Sequence, residues 1–485
     1  MSNSIRYFIK NHLNYILILL WMIIVLTAVL HHELWFDEAL AFRFVKEHSL
    51  YQLLFLIGNS EEIHPPMWYL LIYPFAHLLN AKNISIQGIS FIFMLLSVCY
   101  FCFKCPFNFF TKILFIFSTG MTYLFPVIAR NYSLIPIFMF ILADLYPKRH
   151  SKPILYALVI VMLSQTHALI WGFCLICALL FIFEILQIYF NKSETKNFKT
   201  ISSYLISTFI LVSDGFYLFT LFKRQIFNYM SRFNINDIQE KIQTAISLVP
   251  QNLDLSLGID FNLFIAGFVI LLLLIFLINK KSSFILLASV FCFEFVYIFL
   301  ENVRVAGIPS QKVFIIILFI VFSCWILEKK NKVLWVLKDI VLFIFFAFLF
   351  FKPPFYKVIG DEIQNYFSNQ PIIMNYLESN LKNDDKVLII SLVTEPSFLI
   401  GLEDNISRID DNDEIVDNNF ISEYIKKTGD NIKYIILPDE TKQNLKIPYK
   451  KVFSSPKNKV NSITICDPYH NNYSIYQYMD YSKPN

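Results

Sequence analysis

Long apolar stretches recur along most of this chain, from Tyr15 to Phe351. Several approach or exceed the roughly 18 consecutive apolar residues from which a membrane-spanning helix is inferred. Of the 485 residues, 56% are hydrophobic and 16% are charged, whereas about a quarter of the residues in a typical soluble chain are charged. The sequence therefore predicts a polytopic α-helical membrane protein in contact with the lipid bilayer. A net charge of only +4 gives no sign of a nucleic-acid partner.

Basic clusters between the apolar stretches predict the orientation of the chain, because Lys and Arg in short loops remain in the cytoplasm. No small-residue cleavage pattern follows the first stretch, so we interpret it as a signal anchor with a cytoplasmic N-terminus. The alternation of basic loops with loops of mixed charge predicts about 11–13 spans in the inner (plasma) membrane of the cell. The basic clusters lie at residues 148–152, 192–199, 280–281 and 329–332.

Residues 66–103 do not fit this alternation. They contain two apolar segments, yet an outside start and a cytoplasmic loop at Lys104–Lys112 would require an odd number of crossings. Either one of the segments lies along the membrane interface, or these lysines face the outside. The sequence leaves both alternatives open.

The last 133 or so residues differ from the rest of the chain, since short apolar runs replace the long ones. We divide the chain into a transmembrane catalytic domain, residues 1–352, and a soluble extracytoplasmic domain, residues 353–485. In the second part "KVLIIS", "IKYIILP" and "NSITICD" predict strands. Residues 361–382 have helical spacing, and "NNFISEYIKKTG" predicts a helix that ends at Gly429. This alternation predicts a small α/β domain.

Two adjacent carboxylates, Asp37 and Glu38, lie in the first predicted outer loop, residues 31–65. Charge beside a membrane is usually basic and serves as an anchor, so an acidic pair followed by Arg43 needs another explanation. A carboxylate at the membrane surface can act as a general base, taking a proton from an acceptor while a lipid-anchored donor presents its reactive carbon. The simpler interpretation is an ordinary loop carboxylate that pairs with Arg43.

Polar side chains at three further outer boundaries favour the catalytic interpretation. In "EEIHPPMWYLL" the double proline fixes where the chain re-enters the apolar region and leaves His64 at the water boundary. "ARNYSL" supplies Arg130 and Tyr132, and "SQTHAL" supplies His167. Each of these side chains alone is typical of an interfacial anchor. Together on one face they predict an anion-binding and acid–base site.

The order of these motifs resembles a known family. W-x-D-E-A, H-P-P-x-W-Y-L-L, A-R-x-Y and T-H follow one another before Ile170, and the predicted soluble tail follows the spans. This layout is similar to that of the GT-C glycosyltransferases, and more narrowly to the bacterial protein mannosyltransferase and aminoarabinose transferase superfamily. The acidic pair with the following His-Pro-Pro is the most specific part of the resemblance.

The resemblance implies inverting transfer of a sugar from a polyprenyl-phosphate donor to an extracytoplasmic acceptor, with the active site in the first outer loop. It implies that Asp37 is the catalytic base, and that Glu38 supports it or contacts a divalent metal cation. Arg130 matches an Arg of the family and is expected to bind the donor phosphate, which suits its planar, permanently charged fork. The other residues that we assign to substrate or phosphate binding are Arg43, His64, Tyr132, His167 and Arg304.

The chain departs from the family pattern at three places. Ala168 follows His167 where the family commonly has Tyr, and Asn131 replaces a Pro. An Arg-Tyr pair that often precedes a late span is not recognisable, and Arg304 or Lys312 is expected to supply its positive charge. These departures affect the acceptor and phosphate contacts more than the reaction class.

Two other functions remain as alternatives. A flippase or transporter of lipid-linked glycans would carry ionisable residues or Gly and Pro breaks near the centre of the bilayer. The clearest charges here lie at outer ends instead, and the chain has only 11 Gly. A polymerase or ligase of surface polysaccharide also uses polyprenyl carriers but lacks the early acidic pair. The sugar and the acceptor, which could be a cell-envelope glycan, a lipid or a protein, are not indicated.

Overall fold

A computed structural model of the chain is mostly helical with a small sheet near the C-terminus. It describes residues 3–32, 34, 36–59, 64–78, 84–190, 198–231, 261–300, 310–327, 332–351, 355–364, 370–382, 385–390, 406–409, 416–417, 423, 432–438, 443–444, 449–454 and 473–478.

The helices, numbered in chain order over these residues, are α1 (Asn3–His31), α2 (Phe36–Glu47), α3 (Leu50–Phe55), α4 (Met67–His77), α5 (Ile84–Lys104), α6 (Phe109–Ile116), α7 (Ile135–Leu145), α8 (Pro153–Ser164), α9 (Trp171–Phe190), α10 (Phe198–Ser231), α11 (Phe261–Ile278), α12 (Lys280–Leu300), α13 (Ser310–Trp325), α14 (Lys332–Phe351), α15 (Phe355–Gln364) and α16 (Gln370–Asn380).

Several of these helices have the length and composition of membrane spans. Within the described residues, 5 helical segments are long and apolar enough to cross a bilayer. They are His12–His31, Ile86–Lys104, Ala168–Phe190, Thr200–Asn228 and Lys332–Phe351. Pro153–Ser164, Phe264–Ile278 and Phe314–Trp325 are shorter apolar helices. The prediction of a helical membrane protein is therefore confirmed, while the predicted number of spans stays a prediction.

Each long helix has one face against the bundle and another face open. In α9, Cys174, Cys177 and Phe181 are buried, whereas Leu175 and Leu179 on the other face are exposed. In water a stripe of exposed leucines would be unfavourable, because apolar surface is best removed from water. In lipid the same exposed leucines carry no such cost, because acyl chains are as apolar as leucine. The exposed apolar faces thus mark the surface that contacts the bilayer.

The ambiguous region 66–103 contains one short helix and one long helix. Helix α4 has 11 residues, which span about 16 Å, roughly half of the ~30 Å hydrocarbon thickness. It packs along α2, where His77 Nε2 lies 2.8 Å from the carbonyl oxygen of Val45. Only α5, with 21 residues, is long enough to cross. This arrangement agrees with the alternative in which one of the two segments does not span the membrane.

The chain between α6 and α7 is broken rather than continuously helical. Helix α6 ends at Ile116, and a π-helical turn at Gly120–Leu124 follows. The turn packs closely on α13 at Gly120, because a Cβ atom there would clash with the ring of Phe314. The segment then continues without regular structure to Arg130. Most of its backbone N–H groups bond to carbonyl oxygens of the same segment, and the N–H of Ala129 bonds to the side chain of Glu38 in α2.

Charged residues from three elements meet at the end of the bundle opposite to Arg130. Arg149 follows α7 and donates to Glu184 of α9 through Nε at 2.7 Å and through Nη2 at 3.0 Å. His150 Nε2 lies 3.1 Å from the same carboxylate, and Lys281 of α12 also pairs with it. Two of the predicted basic loops, at 148–152 and at 280–281, thus lie at the same end of the bundle.

A mixed sheet forms near the C-terminus. Its strands are β1 (Lys386–Ile390), β2 (Ile406–Ile409), β4 (Ile432–Pro438), β6 (Tyr449–Ser454) and β7 (Tyr473–Tyr478), and β3 (Val416–Asp417) pairs separately with β5 (Gln443–Asn444). The order is β2-β1-β4-β7-β6, parallel over the first three strands and antiparallel over the rest. Ile373 and Leu377 of α16 pack on the sheet.

The described strands include two of the three that the sequence predicted, "KVLIIS" and "IKYIILP". The third, "NSITICD", and the helix predicted to end at Gly429 lie outside the described residues. The helical spacing over residues 361–382 corresponds to two helices, α15 and α16, and residues 365–369 between them are not described.

Candidate functional site

Asp37 lies in the first turn of α2, where the positive end of the helix dipole favours a carboxylate. Its side chain is 37% exposed, and Oδ2 lies 3.0 Å from Nη1 of Arg130. Arg130 follows the broken segment after α6, so this ion pair joins two chain segments that are 93 residues apart in the sequence. The two residues that sequence analysis assigned to the base and to the phosphate site are therefore direct neighbours.

Glu38 has a different environment from Asp37. Its side chain is fully buried, and Oε2 lies 3.0 Å from Nε2 of His32. Oε1 accepts a hydrogen bond from the backbone N–H of Ala129. Protein groups therefore occupy both carboxylate oxygens, and Glu38 holds the first loop against the segment that carries Arg130. This geometry gives no support to a metal ion shared by Asp37 and Glu38.

His32 continues this buried chain of polar groups towards the C-terminal part of the molecule. Its Nδ1 lies 2.8 Å from Oε1 of Glu362 in α15. Tyr123 donates its hydroxyl hydrogen to Oε2 of Glu362 at 2.5 Å. Burial by itself lowers the pKa of His32, but the charges of Glu38 and Glu362 outweigh it and raise that pKa to about 10. His32 is therefore an imidazolium between two carboxylates at neutral pH.

Three ring side chains predicted for the site lie next to one another, close to the ion pair. The ring centroids of His64 and His167 are 4.2 Å apart, and those of Tyr132 and His167 are 4.5 Å apart. Nδ1 of His167 accepts a hydrogen bond from the N–H of Leu169 at 3.0 Å, which assigns the ring proton to Nε2. Burial and the charges of His64, Lys312 and Arg130 lower the pKa of His167 well below its usual value. His167 is therefore neutral.

Lys312 supplies a further positive charge to this region. It lies in the first turn of α13, ahead of the apolar stretch Phe314–Trp325. Burial lowers the pKa of its ammonium group to about 7, with Asp37 raising the pKa and Arg130 lowering it further. Both residues are near enough to act on Lys312 through their charges. Of the two cations that the sequence offered for this role, Lys312 is in the site, and Arg304 lies outside the described residues.

Arg43 lies on the same helix as Asp37 but has a different partner. The Nε atom of Arg43 pairs with Oε1 of Glu47 at 2.6 Å, one turn further along α2. The ion pair of Asp37 is made with Arg130, so the pairing with Arg43 that the simpler interpretation assumed is not formed. Over the described part of the chain, no group of three or more His, Cys, Asp or Glu side chains is arranged to hold a metal ion.

An apolar cavity of ≈ 400 Å³ lies beside the turn that carries His167. Ser164 and Trp171, which flank this turn, both line it, and the opposite wall comes from α10. Asp214 of α10 accepts hydrogen bonds from Ser164 Oγ and from Gln165 Nε2, each at 2.7 Å. These bonds attach the turn to α10 at the rim of an otherwise apolar space.

His32 and Glu362 were not identified from the sequence. His32 ends the first apolar stretch as the second of two histidines, which resembles an interfacial anchor. Glu362 lies in "FYKVIGDEIQ", an ordinary amphipathic pattern without a motif. The apolar residues of α15 lie on one side of the helix. The one sign in the sequence that Glu362 is buried was its place beside Val358 and Ile359 on that side.

Comparison with known proteins provides no relative for this arrangement. No protein-family model matches the chain, and no curated protein sequence matches it. The function must therefore be argued from the site.

Proposed function

We propose that this protein is an inverting GT-C-type glycosyltransferase that moves a sugar from a polyprenyl-phosphate donor to an extracytoplasmic acceptor. The observation that carries the proposal is the half-exposed Asp37 carboxylate in contact with Arg130, with the Lys312 ammonium close by. A base and two phosphate-binding cations at one end of a membrane bundle are the groups that this reaction needs.

The two cations match the leaving group. A polyprenyl phosphate carries more negative charge as the leaving group than it had in the sugar donor. Cationic hydrogen-bond donors held at its oxygens therefore stabilise the transition state more than the ground state. Arg130 can present two N–H groups to a phosphate, and Lys312 adds a point charge. Without donor, Asp37 pairs with Arg130. A bound phosphate would compete for this Arg and release the carboxylate to act as a base.

The reaction then proceeds in a single displacement. Asp37 takes the proton from the acceptor hydroxyl or amine, and the acceptor atom forms a bond to the anomeric carbon. The bond between that carbon and the phosphate oxygen breaks on the opposite face, and its electron pair leaves with the lipid phosphate. The anomeric configuration inverts because only one substitution takes place. Proton transfer by a positioned carboxylate contributes about 10²–10⁴-fold to such a rate.

The surroundings of the site suit a donor with a lipid chain. The apolar cavity between α8, α9 and α10 begins at the turn that carries His167. A polyprenyl chain is entirely apolar, so it would enter this cavity or the adjacent bilayer while its phosphate stays at Arg130. We place this end of the bundle on the outer face of the plasma membrane, with the N-terminus in the cytoplasm and residues 353–485 outside.

A transfer assay tests the proposal directly. Purified protein is given a panel of polyprenyl-phosphate sugars with candidate acceptors, and turnover and donor binding are measured separately. Asp37→Asn keeps the size of the side chain but removes its basicity, so we expect turnover to fall about 10²–10⁴-fold, while donor affinity is kept or increased because Asp37 no longer competes with the phosphate for Arg130. Arg130→Ala should weaken donor binding about 10- to 100-fold, because a hydrogen-bonded charge pair contributes about 1.5–3 kcal/mol.

Glu378→Gln is the matched control, since it also neutralises a carboxylate but one that is exposed on α16. It should leave both quantities unchanged. Turnover of Asp37→Asn within a few-fold of the unmodified protein would remove Asp37 from the reaction. Movement of a lipid-linked glycan across a bilayer without any transfer would favour the flippase instead, and chain extension of a polysaccharide would favour the polymerase.

A further inference from the structure

Four side chains from four chain segments form one continuous buried network. Glu38 of α2 contacts His32 after α1 at 3.0 Å, and His32 contacts Glu362 of α15 at 2.8 Å. Tyr123 of the π-helical turn donates to the far oxygen of Glu362. The side chains of His32 and Glu38 are 0% exposed. We name this set, Glu38, His32, Glu362 and Tyr123, the buried acid–imidazole network.

Such a network is stable only as a complete set. Taking charges out of water is costly, and each must be compensated by an opposite charge or by hydrogen bonds. Here the imidazolium offsets one of the two negative charges, and the N–H of Ala129 and the hydroxyl of Tyr123 donate to the remaining oxygens. Gln87 donates to the carbonyl oxygen of His32 at 2.7 Å and fixes the backbone at this point. Removing one member leaves another buried and uncompensated.

The network joins parts of the chain that have different roles. Helix α15 follows the long apolar helix α14 and precedes the sheet, and it packs against α1 and the π-helical turn. At the other end of the network, Glu38 is the residue next to Asp37. The orientation of the first turn of α2 therefore depends on a carboxylate that lies more than 300 positions away in the sequence.

We propose that Glu362 is a positioning residue, which holds His32 against Glu38 and thereby aims Asp37, so that transfer requires α15 to be docked. This inference rests on the proposed function of Asp37. It goes beyond that function because it gives the segment between the membrane bundle and the C-terminal sheet a part in the reaction. Glu362 acts through His32 and Glu38 and need not touch either substrate.

A positioning role predicts a change in pH dependence that a loss of stability alone does not. The pKa of His32 is about 10 with both carboxylates present. Glu362→Gln removes one of the two charges that raise this pKa, so His32 should lose its proton at a lower pH. Above that pH Glu38 has no cationic partner, and Asp37 is no longer held in place. The alkaline limb of the activity profile should therefore move to lower pH.

The test uses the full-length protein in lipid nanodiscs and two readouts. The first is the pH profile of turnover with kcat and KM for the donor. The second, which needs no activity, is hydrogen exchange of peptides from α2, corrected for the intrinsic effect of pH on exchange. For Glu362→Gln we expect kcat to fall by about tenfold or more, since a displacement near 1 Å can reduce a rate about 10²-fold. KM should stay within about twofold, because the phosphate contacts are not part of the network.

Two further variants make the result interpretable. Tyr123→Phe removes one hydrogen bond but no charge, so it should speed the exchange of α2 by a smaller amount and leave the alkaline limb close to that of the unmodified protein. If Glu362→Gln does not fold, Tyr123→Phe alone still tests the inference. Glu378→Gln on the next helix should change neither readout.

The outcomes separate this inference from the proposed function. An unmodified protein that transfers no sugar would end the proposed function, while faster exchange of α2 at lower pH in Glu362→Gln would still support the network. Unchanged exchange in both network variants and an unchanged alkaline limb in Glu362→Gln would overturn the inference even if Asp37 proves to be the base. Faster exchange of α2 with unaltered kcat would overturn the positioning role.

Discussion

The contact between Asp37 and Arg130 gives the site a resting state. Oδ2 and Nη1 are 3.0 Å apart, so each charge stabilises the other. Until the donor arrives, Asp37 is therefore not available as a base and Arg130 is not available to a phosphate. A phosphate that binds Arg130 would also interact with Lys312. The pKa of Lys312 is about 7, so its charge is sensitive to small changes in its surroundings. The state of Lys312 should therefore control how well the phosphate is held.

We expect donor affinity to fall as the pH rises above about 7, because free Lys312 is then neutral and must take up a proton to bind the phosphate. Over the range between its free and bound pKa values the affinity should decrease by up to about tenfold per pH unit. Equilibrium binding of a phosphodiester donor from pH 6 to pH 9 measures this, since the diester itself does not titrate there.

Lys312→Arg provides the control for this prediction. Its guanidinium stays charged at every pH in the range, so its affinity should be nearly independent of pH. An equally steep decrease in Lys312→Arg would show that another group is responsible for the pH dependence.

At the level of single residues, sequence analysis grouped several side chains that lie close together in the fold. His64, Arg130, Tyr132 and His167 could be assigned together because each ends an apolar stretch, and the ends of membrane helices are limited to two levels. The contact of His32 with Glu362 could not be predicted, because 330 positions separate the two residues and no periodicity relates them. Glu38 was assigned to the reaction with Asp37, and adjacency in the sequence gave no sign that its oxygens face the interior.

Among the elements, the broken segment between α6 and α7 positions the site more than any intact helix does. Its backbone gives Glu38 the N–H of Ala129, and Arg130 follows at once. The sequence carries signals of this break, since Ser118, Gly120 and Pro126 interrupt the apolar run "FFTKILFIFSTGMTYLFPVIA", but sequence analysis took no account of them. In the fold the ring of Phe314 packs directly against Gly120, where a Cβ atom would clash.

The contact at Gly120 makes a prediction about stability. Gly120→Ala places a Cβ atom where the ring of Phe314 now lies, so the π-helical turn or α13 must move. Overpacking of this kind costs about 1–3 kcal/mol, and we expect a lower thermal unfolding temperature in detergent together with weaker donor binding. Phe314→Leu should restore part of the stability when it is combined with Gly120→Ala.

Gly88→Ala in α5 is the matched control, because a Cβ atom there would meet nothing within 4 Å. Alanine favours a helix over glycine by roughly 0.5–1 kcal/mol, so this variant should be as stable as the unmodified protein or slightly more stable. If Gly120→Ala behaved like Gly88→Ala, the contact with Phe314 would not be close enough to exclude a side chain at this position.

The whole molecule has two chemically different ends. Asp37, Arg130 and Lys312 lie at one end, whereas Glu184 and the basic residues that bind it lie at the other. Basic loops remain in the cytoplasm, so we expect the Glu184 end to face inward and the site to face outward. Helix α15 contacts the site through Glu362, which places the start of the C-terminal region at the outer end as well.

This orientation can be tested with paired reporters on the intact chain. Alkaline phosphatase, which is active only outside the cytoplasm, and a reporter that is active only inside it are each fused after Asn485. We expect high phosphatase activity and a silent cytoplasmic reporter, because the network binds α15 to the outer end and the sheet follows it. The same two reporters inserted between α9 and α10, near the Glu184 end, should give the reverse pattern. A strong cytoplasmic signal from the C-terminal fusion would put Asp37 on the cytoplasmic side of the membrane, where it cannot reach an extracytoplasmic acceptor. Both the predicted topology and the proposed reaction would then be wrong.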